Sequence, residues 1–379
     1  LLATIGEGDR NLLLMSHTDV VPVVKEAWAY PPFGAVIDDG RIYGRGSEDA
    51  KSLVSSGLMS LILLERAGVK LDGEVTFLAA ADEEAGGKYG IEWLAENHPE
   101  KVRATWALNE GGGNPVERNG KLGYLLACGE KGRFEANLTC HGRSGHAANP
   151  WSTKNALHIL GRLLENIRGY HPEVDLSHSV FDHLEWFGIP VEAADAQLDN
   201  SLEEYEVESP MANMLRAVSR MSIVPTMAGA GVKSNSIPSS ARLTCDIRTL
   251  PFQDKAYVTG ELAEVVKDTP EVEVELEETA AANSSPVATA FVDQLQRAME
   301  IVLDRHDVEL IPTLTVGFTD SRCVRPLGTE VYGFAPLVPG ADLVNRGVHG
   351  ADEFIEVDTL QLRTRLNAVL AYLLLATAP

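Results

Sequence analysis

Short, continuous apolar runs alternate with amphipathic helical segments through the first 125 residues of the chain. Residues 12–15, 74–81 and 104–108 have the composition and length of buried strands, whereas residues 52–67 and 91–97 repeat apolar side chains at helical spacing. A strand that is apolar on both faces must be covered on both sides, and helices between the strands supply that cover. The pattern therefore predicts an α/β fold, with a mostly parallel mixed sheet covered by helices.

The middle of the chain has a different pattern, which indicates a second domain. Residues 133–140 and 271–278 alternate apolar and polar side chains, as in strands of a sheet that has one face in water. A chain of 379 residues also exceeds the size at which a single core stops growing, roughly 250–300 residues. We therefore expect an inserted α+β domain at 131–282, between two parts of the α/β domain at 1–130 and 283–379.

The chain is strongly acidic. Lys and Arg number 32 against 55 Asp and Glu, which gives a formal net charge of −23. Nucleic acid and anionic membranes both select clustered Lys and Arg, so neither is expected as a partner. The acids are densest at residues 173–210, where eleven occur without a Lys or Arg. This segment is interpreted as a solvated surface insertion, and an acidic lip that faces substrate is the alternative.

Cysteine spacing and hydropathy indicate the cellular compartment in which the protein is expected. The four cysteines are widely spaced and form no C-x-x-C pair, which indicates neither a thiolate metal site nor a disulfide framework. No apolar run approaches the roughly 20 residues of a transmembrane helix. The N-terminus also lacks the pattern of a signal peptide. We therefore expect a cytoplasmic protein in a reducing environment.

Polar side chains of metal-binding type follow three of the predicted strands. His17 and Asp19 follow the first strand, Glu83 and Glu84 follow the second, and Glu110 follows the third. In an open α/β sheet, sites form just beyond the carboxyl ends of the strands. A single acid at a strand end has the alternative role of a helix cap or turn residue. Three such ends with several carboxylates and a histidine indicate a shared metal site.

Spacing and neighbouring glycines suggest roles for individual residues. His17 and Asp19 are two residues apart, so on an extended chain they point to the same side. A metal-binding His usually donates its other ring N–H to a carboxylate, and Asp19 is placed to orient His17 in this way. Asp49 precedes the helix predicted at 52–67, where it either bridges two cations or caps the helix. His349 lies between glycines and is a candidate for the nitrogen ligand that the first half of the chain lacks.

The adjacent acids Glu83 and Glu84 indicate hydrolytic chemistry. Neighbouring side chains at a strand end diverge, so one carboxylate can bind metal while the other faces a metal-bound water. The metal lowers the pKa of the water and polarises a carbonyl, and the free carboxylate passes the proton to the leaving nitrogen. An acidic surface turn is the alternative explanation for an isolated pair of glutamates.

Seven motifs extend over nearly the whole chain. They are HTDVVPV (17–23), GRGSEDAKS (44–52), DEEAGG (82–87), NEGGG (109–113), GRSGHAANP (142–150), FTDSR (318–322) and HGADE (349–353). In their order and approximate spacing they resemble the aminoacylase / carboxypeptidase G / succinyl-diaminopimelate desuccinylase family of co-catalytic metallopeptidases. The stretch WAYPPFGAVIDDGRIYGRG at 28–46 is most similar to the carboxypeptidase S and N-acyl-amino-acid hydrolase branch.

The resemblance implies a two-metal site, with zinc as the usual metal and manganese or cobalt as alternatives. Glu83 matches the general base of the family, and Asp19 matches the residue that orients a ligand histidine. The ligand set that the resemblance implies is Asp49 as the bridge, His17 and Glu110 on one metal, and Glu84 and His349 on the other.

The resemblance also implies that the middle domain is a lid and that two chains form a homodimer through it. His146 matches a lid histidine that reaches the active site of the partner subunit and stabilises the oxyanion. Asn235 and Arg248 match positions that hold the carboxylate of the substrate, to which the planar Arg fork is suited. A surface role is the alternative for Arg248. Arg322, in the FTDSR motif, is expected to make a further polar contact.

Two features depart from the family pattern. A helix and a strand normally precede the His-Thr-Asp motif, but only sixteen residues precede His17, and the first of them is Leu rather than Met. The covering helix is therefore expected to be absent, removed or outside this numbering. The acidic segment at 173–210 is the second departure, and we expect it to alter the geometry of the oligomer.

The sequence thus predicts a two-metal hydrolase that cleaves an amide C–N bond beside a free carboxylate, in short peptides or N-acyl amino acids. Glu83 is expected to deprotonate a water that bridges the metals, while His146 stabilises the oxyanion. One alternative is deacylation, or hydrolysis of another C–N bond, in a small non-peptide metabolite, because pocket residues rather than the shared motifs select the substrate. A non-catalytic binding protein of the same fold is a further alternative, although the ligands and the base are all present.

Overall fold

Eighteen β-strands form within the part of the chain that the structure describes. The structure is a computed structural model, and it describes residues 1–190 and 197–377. The strands are β1 Leu2–Glu7, β2 Asn11–His17, β3 Val36–Asp38, β4 Arg41–Tyr43, β5 Gly73–Ala80, β6 Trp106–Asn109, β7 Pro115–Arg118, β8 Lys121–Glu130, β9 Gly132–His141, β10 Gly145–His146, β11 Ser222–Ala230, β12 Ser236–Ile237, β13 Ser240–Thr249, β14 Val272–Ala280, β15 Asn283–Ser284, β16 Val308–Thr315, β17 Glu330–Gly333 and β18 Phe354–Glu356.

Ten α-helices lie in the same described residues. They are α1 Lys51–Arg66, α2 Ile91–Asn97, α3 Pro99–Val102, α4 Ala156–Arg168, α5 Leu198–Glu204, α6 Ser209–Val218, α7 Lys255–Val266, α8 Ala290–Leu303, α9 Ser321–Val324 and α10 Val357–Leu375. The side chain of Asn155 caps α4 and that of Thr289 caps α8. None of these described helices has the length and apolar character that spanning a membrane requires.

A mixed sheet of nine strands lies at the centre of the described structure. Its order is β1-β5-β2-β6-β17-β8-β15, and β7 and β16 also pair with β8. The central strands β5, β2, β6 and β17 run parallel to one another, whereas β1, β7 and β15 add antiparallel pairs. This arrangement confirms the predicted α/β class, with a mostly parallel sheet and covering helices.

Helices cover both faces of this central sheet. Leu12 and Leu14 of β2 lie in one core with side chains of α1, α8 and α10. Leu13 and Met15 of the same strand lie in another core with side chains of α2, α3 and α9. Successive side chains of a strand point to opposite faces, so a strand that is covered on both sides must be apolar throughout. This explains the unbroken apolar run in β2.

A second, antiparallel sheet has the order β11-β13-β9-β14. Helices α4 and α7 pack on one of its faces, and every second residue of β9 is buried, as expected for a sheet with one wet face. We call this sheet, its two helices and the short β10–β12 pair, which lies between β9 and β13 in the chain, the lid. The chain enters it from β8 through Lys131 and returns at residues 281–282 to β15, which pairs with β8. The division of the chain into domains stays a prediction. The points at which the chain enters and leaves the lid lie next to the predicted domain boundaries.

The acidic segment at 173–210 contributes a third core, which joins the lid to the central sheet. Residues 191–196 of this segment lie outside the described residues. Acids such as Asp182 and Glu185 are exposed, but the interpretation of the whole segment as a solvated insertion is wrong. Its apolar side chains pack against β8 and β16, in a buried cluster that includes Val180, Phe181, Leu184, Trp186, Phe187, Leu198 and Leu202 with Leu125, Ile311 and Leu314.

Hydrogen bonds reinforce the third core at two points. The indole N–H of Trp186 donates to Oε1 of Glu309 in β16, at 3.2 Å. The ammonium group of Lys131, which is buried where the chain enters the lid, donates to the carbonyls of Ala217 at 2.6 Å and Arg220 at 2.7 Å. The two bonds of Lys131 hold the end of α6 against the point where the chain passes from the central sheet into the lid.

We expect the variant Leu184→Ala to unfold at a lower denaturant concentration than the wild type. Leu184 is fully buried in the third core, and removal of a buried leucine side chain costs about 2–5 kcal/mol of stability. Denaturant unfolding followed by circular dichroism would measure the loss. Leu157→Ala is the control, because Leu157 of α4 is 46% exposed. Equal midpoints for Leu184→Ala and the wild type would show that this core adds no stability.

Candidate metal centre

The side chains beyond three parallel strands lie next to one another, because β5, β2 and β6 are neighbours in the central sheet. His17 is the last residue of β2. Glu83 and Glu84 lie in the turn that follows β5, and Glu110 follows β6. The carboxyl ends of these strands therefore converge on one edge of the sheet, as sites in α/β folds do.

Asp49 lies at the centre of this cluster, between two histidines. Its Oδ1 is 2.9 Å from Nε2 of His17, and its Oδ2 is 3.1 Å from Nε2 of His349. Oε2 of Glu110 lies 3.5 Å from the same nitrogen of His17, and Oε2 of Glu84 lies 3.3 Å from that of His349. The structure thus brings all five predicted ligands together, as two groups that share Asp49.

The two groups have the donor chemistry of a pair of divalent cations. Each group offers one imidazole nitrogen and two carboxylates, and within a group the ligand atoms lie within 4.8 Å of one another. Oε1 of Glu84 is buried and has no hydrogen-bond partner among the described residues. A buried carboxylate oxygen without a partner is costly, and a cation would satisfy it. The residues present therefore fit two metal ions, one held by His17, Asp49 and Glu110 and the other by Asp49, Glu84 and His349.

The position of Asp49 depends on a buried carboxylate that was given no role from the sequence. Helix α1 has Ala50 as its N-cap and no side-chain cap, so Asp49 does not take its alternative role as a helix cap. Glu353 is fully buried and accepts the backbone N–H groups of Glu48 and Asp49, both at 2.9 Å. The guanidinium of Arg45 donates to it at 2.6 Å. These bonds fix the loop that presents Asp49 to the two histidines.

Asp19 holds the turn that carries Glu83 and Glu84. Its carboxylate accepts the backbone N–H of Glu83 at 3.2 Å and that of Glu84 at 3.1 Å. Nδ1 of His17 lies 3.0 Å from the main-chain carbonyl of Asp19, against 3.7 Å from its carboxylate. The closer contact to His17 is therefore made by the backbone of Asp19, because its side chain is engaged by the turn. This contact leaves Nε2 of His17 directed at the ligand cluster.

Glu83 faces two further carboxylates. Burial, together with the charges of Glu110 and Asp320, raises the pKa of Glu83 to about 9. Asp320 had no role in the sequence predictions beyond its place in the FTDSR motif. It is buried, its Oδ1 has no hydrogen-bond partner within the described chain, and burial raises its pKa to about 7. In the absence of cations Glu83 is therefore protonated at neutral pH, whereas nearby divalent charges favour its ionised form.

Two of the predicted lid residues lie next to each other. His146 lies in β10, which pairs with β12. Asn235 directly precedes β12, and its carbonyl accepts the N–H of Ala147 at 3.0 Å. Both side chains are on exposed residues, and His146 makes no hydrogen bond to the ligand cluster among residues 1–190 and 197–377. The structure therefore brings these two residues to each other, and neither is among the residues that form the two ligand groups.

The two predicted arginines both lie near one aromatic ring. The guanidinium carbon of Arg322 is 4.8 Å from the ring centre of Phe318, and that of Arg248 is 5.9 Å from it. Arg322 also donates to the carbonyl of Gly86, at the end of the turn that carries Glu83. Arg322 is therefore placed to support the turn, while Arg248 approaches the same region from the lid.

Comparison with known proteins finds one peptidase family over almost the whole chain. Residues 13–373 match the family described as Peptidase family M20/M25/M40. The chain is 31% identical to the N-fatty-acyl-amino acid synthase/hydrolase PM20D1 of Xenopus tropicalis, over 95% of this chain and 72% of that protein. It is 26% identical to aminoacylase-1B of Rattus norvegicus, over 95% of this chain and 80% of that protein.

A solved structure of an M20 family metallo-carboxypeptidase, Sso-CP2 from Sulfolobus solfataricus, has the same fold. The TM-score is 0.72 at 19% sequence identity, and the alignment covers 98% of this chain and 86% of that chain. The chain belongs to the M20/M25/M40 peptidase family, and it is a metal-dependent hydrolase. This result confirms the family that the seven motifs indicated.

The ionisation of His17 links the metal centre to pH. Burial acts to lower the pKa of His17, but its hydrogen bonds with Asp49 and Glu110 outweigh burial and raise the pKa to about 12. The imidazole of the metal-free protein is therefore protonated at neutral pH. A ring nitrogen that holds a proton cannot bind a metal, so a cation must displace that proton.

We expect metal binding to release protons and to weaken as the pH falls. The cation displaces the proton of His17, and its charge favours loss of the proton from Glu83. Zinc titrations by calorimetry at pH 7, in two buffers of different ionisation enthalpy, measure the number of protons released. Glu83→Gln is the matched variant and should release fewer protons than the wild type. A binding enthalpy that is the same in both buffers would contradict this account.

Proposed function

We propose that the chain hydrolyses an amide C–N bond next to a free carboxylate, in an N-acyl amino acid or a short peptide, with two zinc ions bound. The observation that carries the proposal is the position of Glu83 beside two ligand groups that share Asp49. Imidazole and carboxylate donors without a thiolate suit zinc, with manganese or cobalt as alternatives. Metals bound at these ligands polarise the scissile carbonyl and lower the pKa of a water molecule.

Glu83 has the surroundings that a proton carrier needs. Asp19 fixes its turn, and its side chain is partly buried beside Glu110 and Asp320. Its carboxylate takes a proton from the attacking water and delivers it to the leaving nitrogen, so that water adds across the C–N bond and gives an acid and an amine. The neighbouring carboxylates of Glu110 and Asp320 favour the protonated side chain, which helps Glu83 to hold the proton between these two steps.

The lid offers groups that suit the free carboxylate of such a substrate. The side chain of Arg248 is 28% exposed, and a guanidinium fork binds a carboxylate through two parallel hydrogen bonds. Asn235 adds an exposed amide. The relative from Xenopus tropicalis is named as an N-fatty-acyl-amino acid synthase/hydrolase, which supports a substrate that combines an amide with a carboxylate.

The proposal includes a homodimer formed through the lid, in which each chain supplies His146 to the active site of the other. Strand β11 lies at the edge of the lid sheet and is largely exposed, and such an edge is available to pair with a second chain. The N–H of Ala148 donates to Nδ1 of His146 at 3.1 Å. The neutral ring therefore carries its proton on Nε2, where it can stabilise a developing oxyanion.

Glu83→Gln is expected to abolish turnover without loss of metal. Glutamine keeps the size of the side chain but cannot take up a proton, and general base catalysis contributes about 100- to 10,000-fold to the rate. Turnover is measured on a panel of N-acyl amino acids and dipeptides, and metal content by mass spectrometry. The control is Glu100→Gln, at a side chain that is 64% exposed. Unchanged turnover by Glu83→Gln would refute the role of this residue.

Mixed dimers test the role of His146. Homodimers of His146→Ala and of Glu83→Gln should each be inactive. In a mixed dimer, the site of the His146→Ala chain keeps Glu83 and receives His146 of the partner subunit. Random mixing in equal amounts should therefore restore about a quarter of the wild-type activity, because half of the dimers are mixed and each has one intact site. Light scattering measures the dimer, and no recovery on mixing would contradict the shared site.

A further inference from the structure

Two arginines face each other across the lid strands β9 and β13. Arg133 and Arg248 are directly opposed in the antiparallel register. Each donates its Nε–H to a different oxygen of the Asp246 carboxylate, in both cases at 2.7 Å. A longer contact of 3.5 Å joins a terminal nitrogen of Arg248 to the same carboxylate. The terminal nitrogens of Arg133 make no hydrogen bond within the described part of the chain.

The pair carries positive charge in an otherwise acidic protein. Two guanidinium groups share one carboxylate, so one positive charge is left over. Lys131 adds to the positive field, because it lies two residues from Arg133 at the entry to the lid. Burial, followed by the charges of Arg248 and Arg220, lowers the pKa of Lys131 to about 8. This end of the lid sheet therefore favours an anionic ligand.

Apart from Asp246, the neighbouring acid of β9 on the same face of the lid does not engage the pair. Glu135 lies two residues along β9 and opposite Asp246. Its carboxylate accepts from the amide of Asn137 at 3.1 Å, on the side away from Arg133. The side chains of Arg133 and Arg248 are 32% and 28% exposed. Both guanidinium groups therefore remain accessible to a ligand.

One aromatic ring connects this pair to the catalytic turn. Arg248 lies 5.9 Å from the ring centre of Phe318, and Arg322 lies 4.8 Å from the same ring. Arg322 in turn donates to the carbonyl of Gly86, which ends the turn that carries Glu83. The arginine pair therefore lies at the end of the lid that approaches the metal centre.

We propose that Arg133, acting beside Arg248, selects substrates in which the residue with the free carboxylate has a second carboxylate in its side chain. This inference rests on the proposed function and names its substrate class: N-acyl aspartate or N-acyl glutamate, or a peptide that ends in one of these residues. Arg248 holds one carboxylate and Arg133 holds the other. Directly opposed residues on antiparallel strands have Cβ atoms about 4.5–5.5 Å apart, which is comparable with the separation of the two carboxylates in aspartate or glutamate.

The test compares N-acetyl-L-glutamate with N-acetyl-L-glutamine, which have the same shape and differ in side-chain charge. In the zinc-loaded wild type, kcat/KM is expected to be about 10- to 100-fold higher for the glutamate compound, since hydrogen bonds between charged groups are strong. Arg133→Gln should bring this ratio close to one, and Arg133→Lys, which keeps the charge, should retain part of it. Arg242→Gln is the control, because Arg242 is an exposed arginine near the far end of β13 and its loss changes the net charge equally.

Two results would overturn the role of Arg133: no preference for the glutamate compound in the wild type, or the same preference in Arg133→Gln. Binding separates such a failure from failure of the proposed function. Calorimetric titration of zinc-loaded Glu83→Gln with both compounds should show the same preference as turnover. Preferential binding without turnover of either compound by the wild type would overturn the proposed function alone. Turnover of both compounds without preference would overturn the role of Arg133 alone, and neither turnover nor preferential binding would overturn both.

Discussion

Repulsion among carboxylates at one edge of the central sheet is the constraint on which the rest of the site depends. Five of them meet there: Asp49, Glu83, Glu84, Glu110 and Asp320. Like charges at such short range are unfavourable in a partly buried cluster, and protons, hydrogen bonds or cations must offset them. In the metal-free protein the protons of His17 and Glu83 offset this repulsion. Two divalent cations held by the candidate ligands would also offset this repulsion, and their charge would favour the ionised form of Glu83.

The strands and the polar residues at their carboxyl ends could be predicted from the sequence because both are local features. The apolar run at 12–15 indicates a buried strand, and His17 follows it almost directly. Glu353 and Asp320 could not be given roles in this way. Glu353 binds Arg45 and loop N–H groups more than 300 positions earlier in the chain. Asp320, whose charge raises the pKa of Glu83, is also far from Glu83 in the sequence. Such contacts exist only once the sheet has formed, so no local pattern encodes them.

The acidic segment was misinterpreted for a different reason. Its charge dominated the composition, although Val180, Leu184 and Phe187 repeat at the spacing of one helical face. Those side chains form a core that includes Ile311 of the central sheet. Moving the lid away from the sheet would expose this core to water, at a cost of roughly 25 cal/mol for each Å² of apolar surface. The segment therefore opposes separation of the lid from the metal centre, and its acids keep the outer surface soluble.

The chemistry was easier to predict than the substrate because the two lie on different elements. His17, Glu83, Glu84 and Glu110 lie at strand ends of the central sheet, whose positions the fold determines, and loops bring Asp49 and His349 to them. Arg133 and Arg248 lie on the lid, where a substitution leaves the five candidate ligands unchanged. The two regions meet at Phe318, whose ring lies near Arg248 of the lid and near Arg322, and Arg322 donates to the carbonyl of Gly86 in the turn that carries Glu83. Relatives named for fatty-acyl amino acids and for aminoacylase align with almost the whole chain, as expected when the fold sets the reaction and separate pocket residues set the substrate.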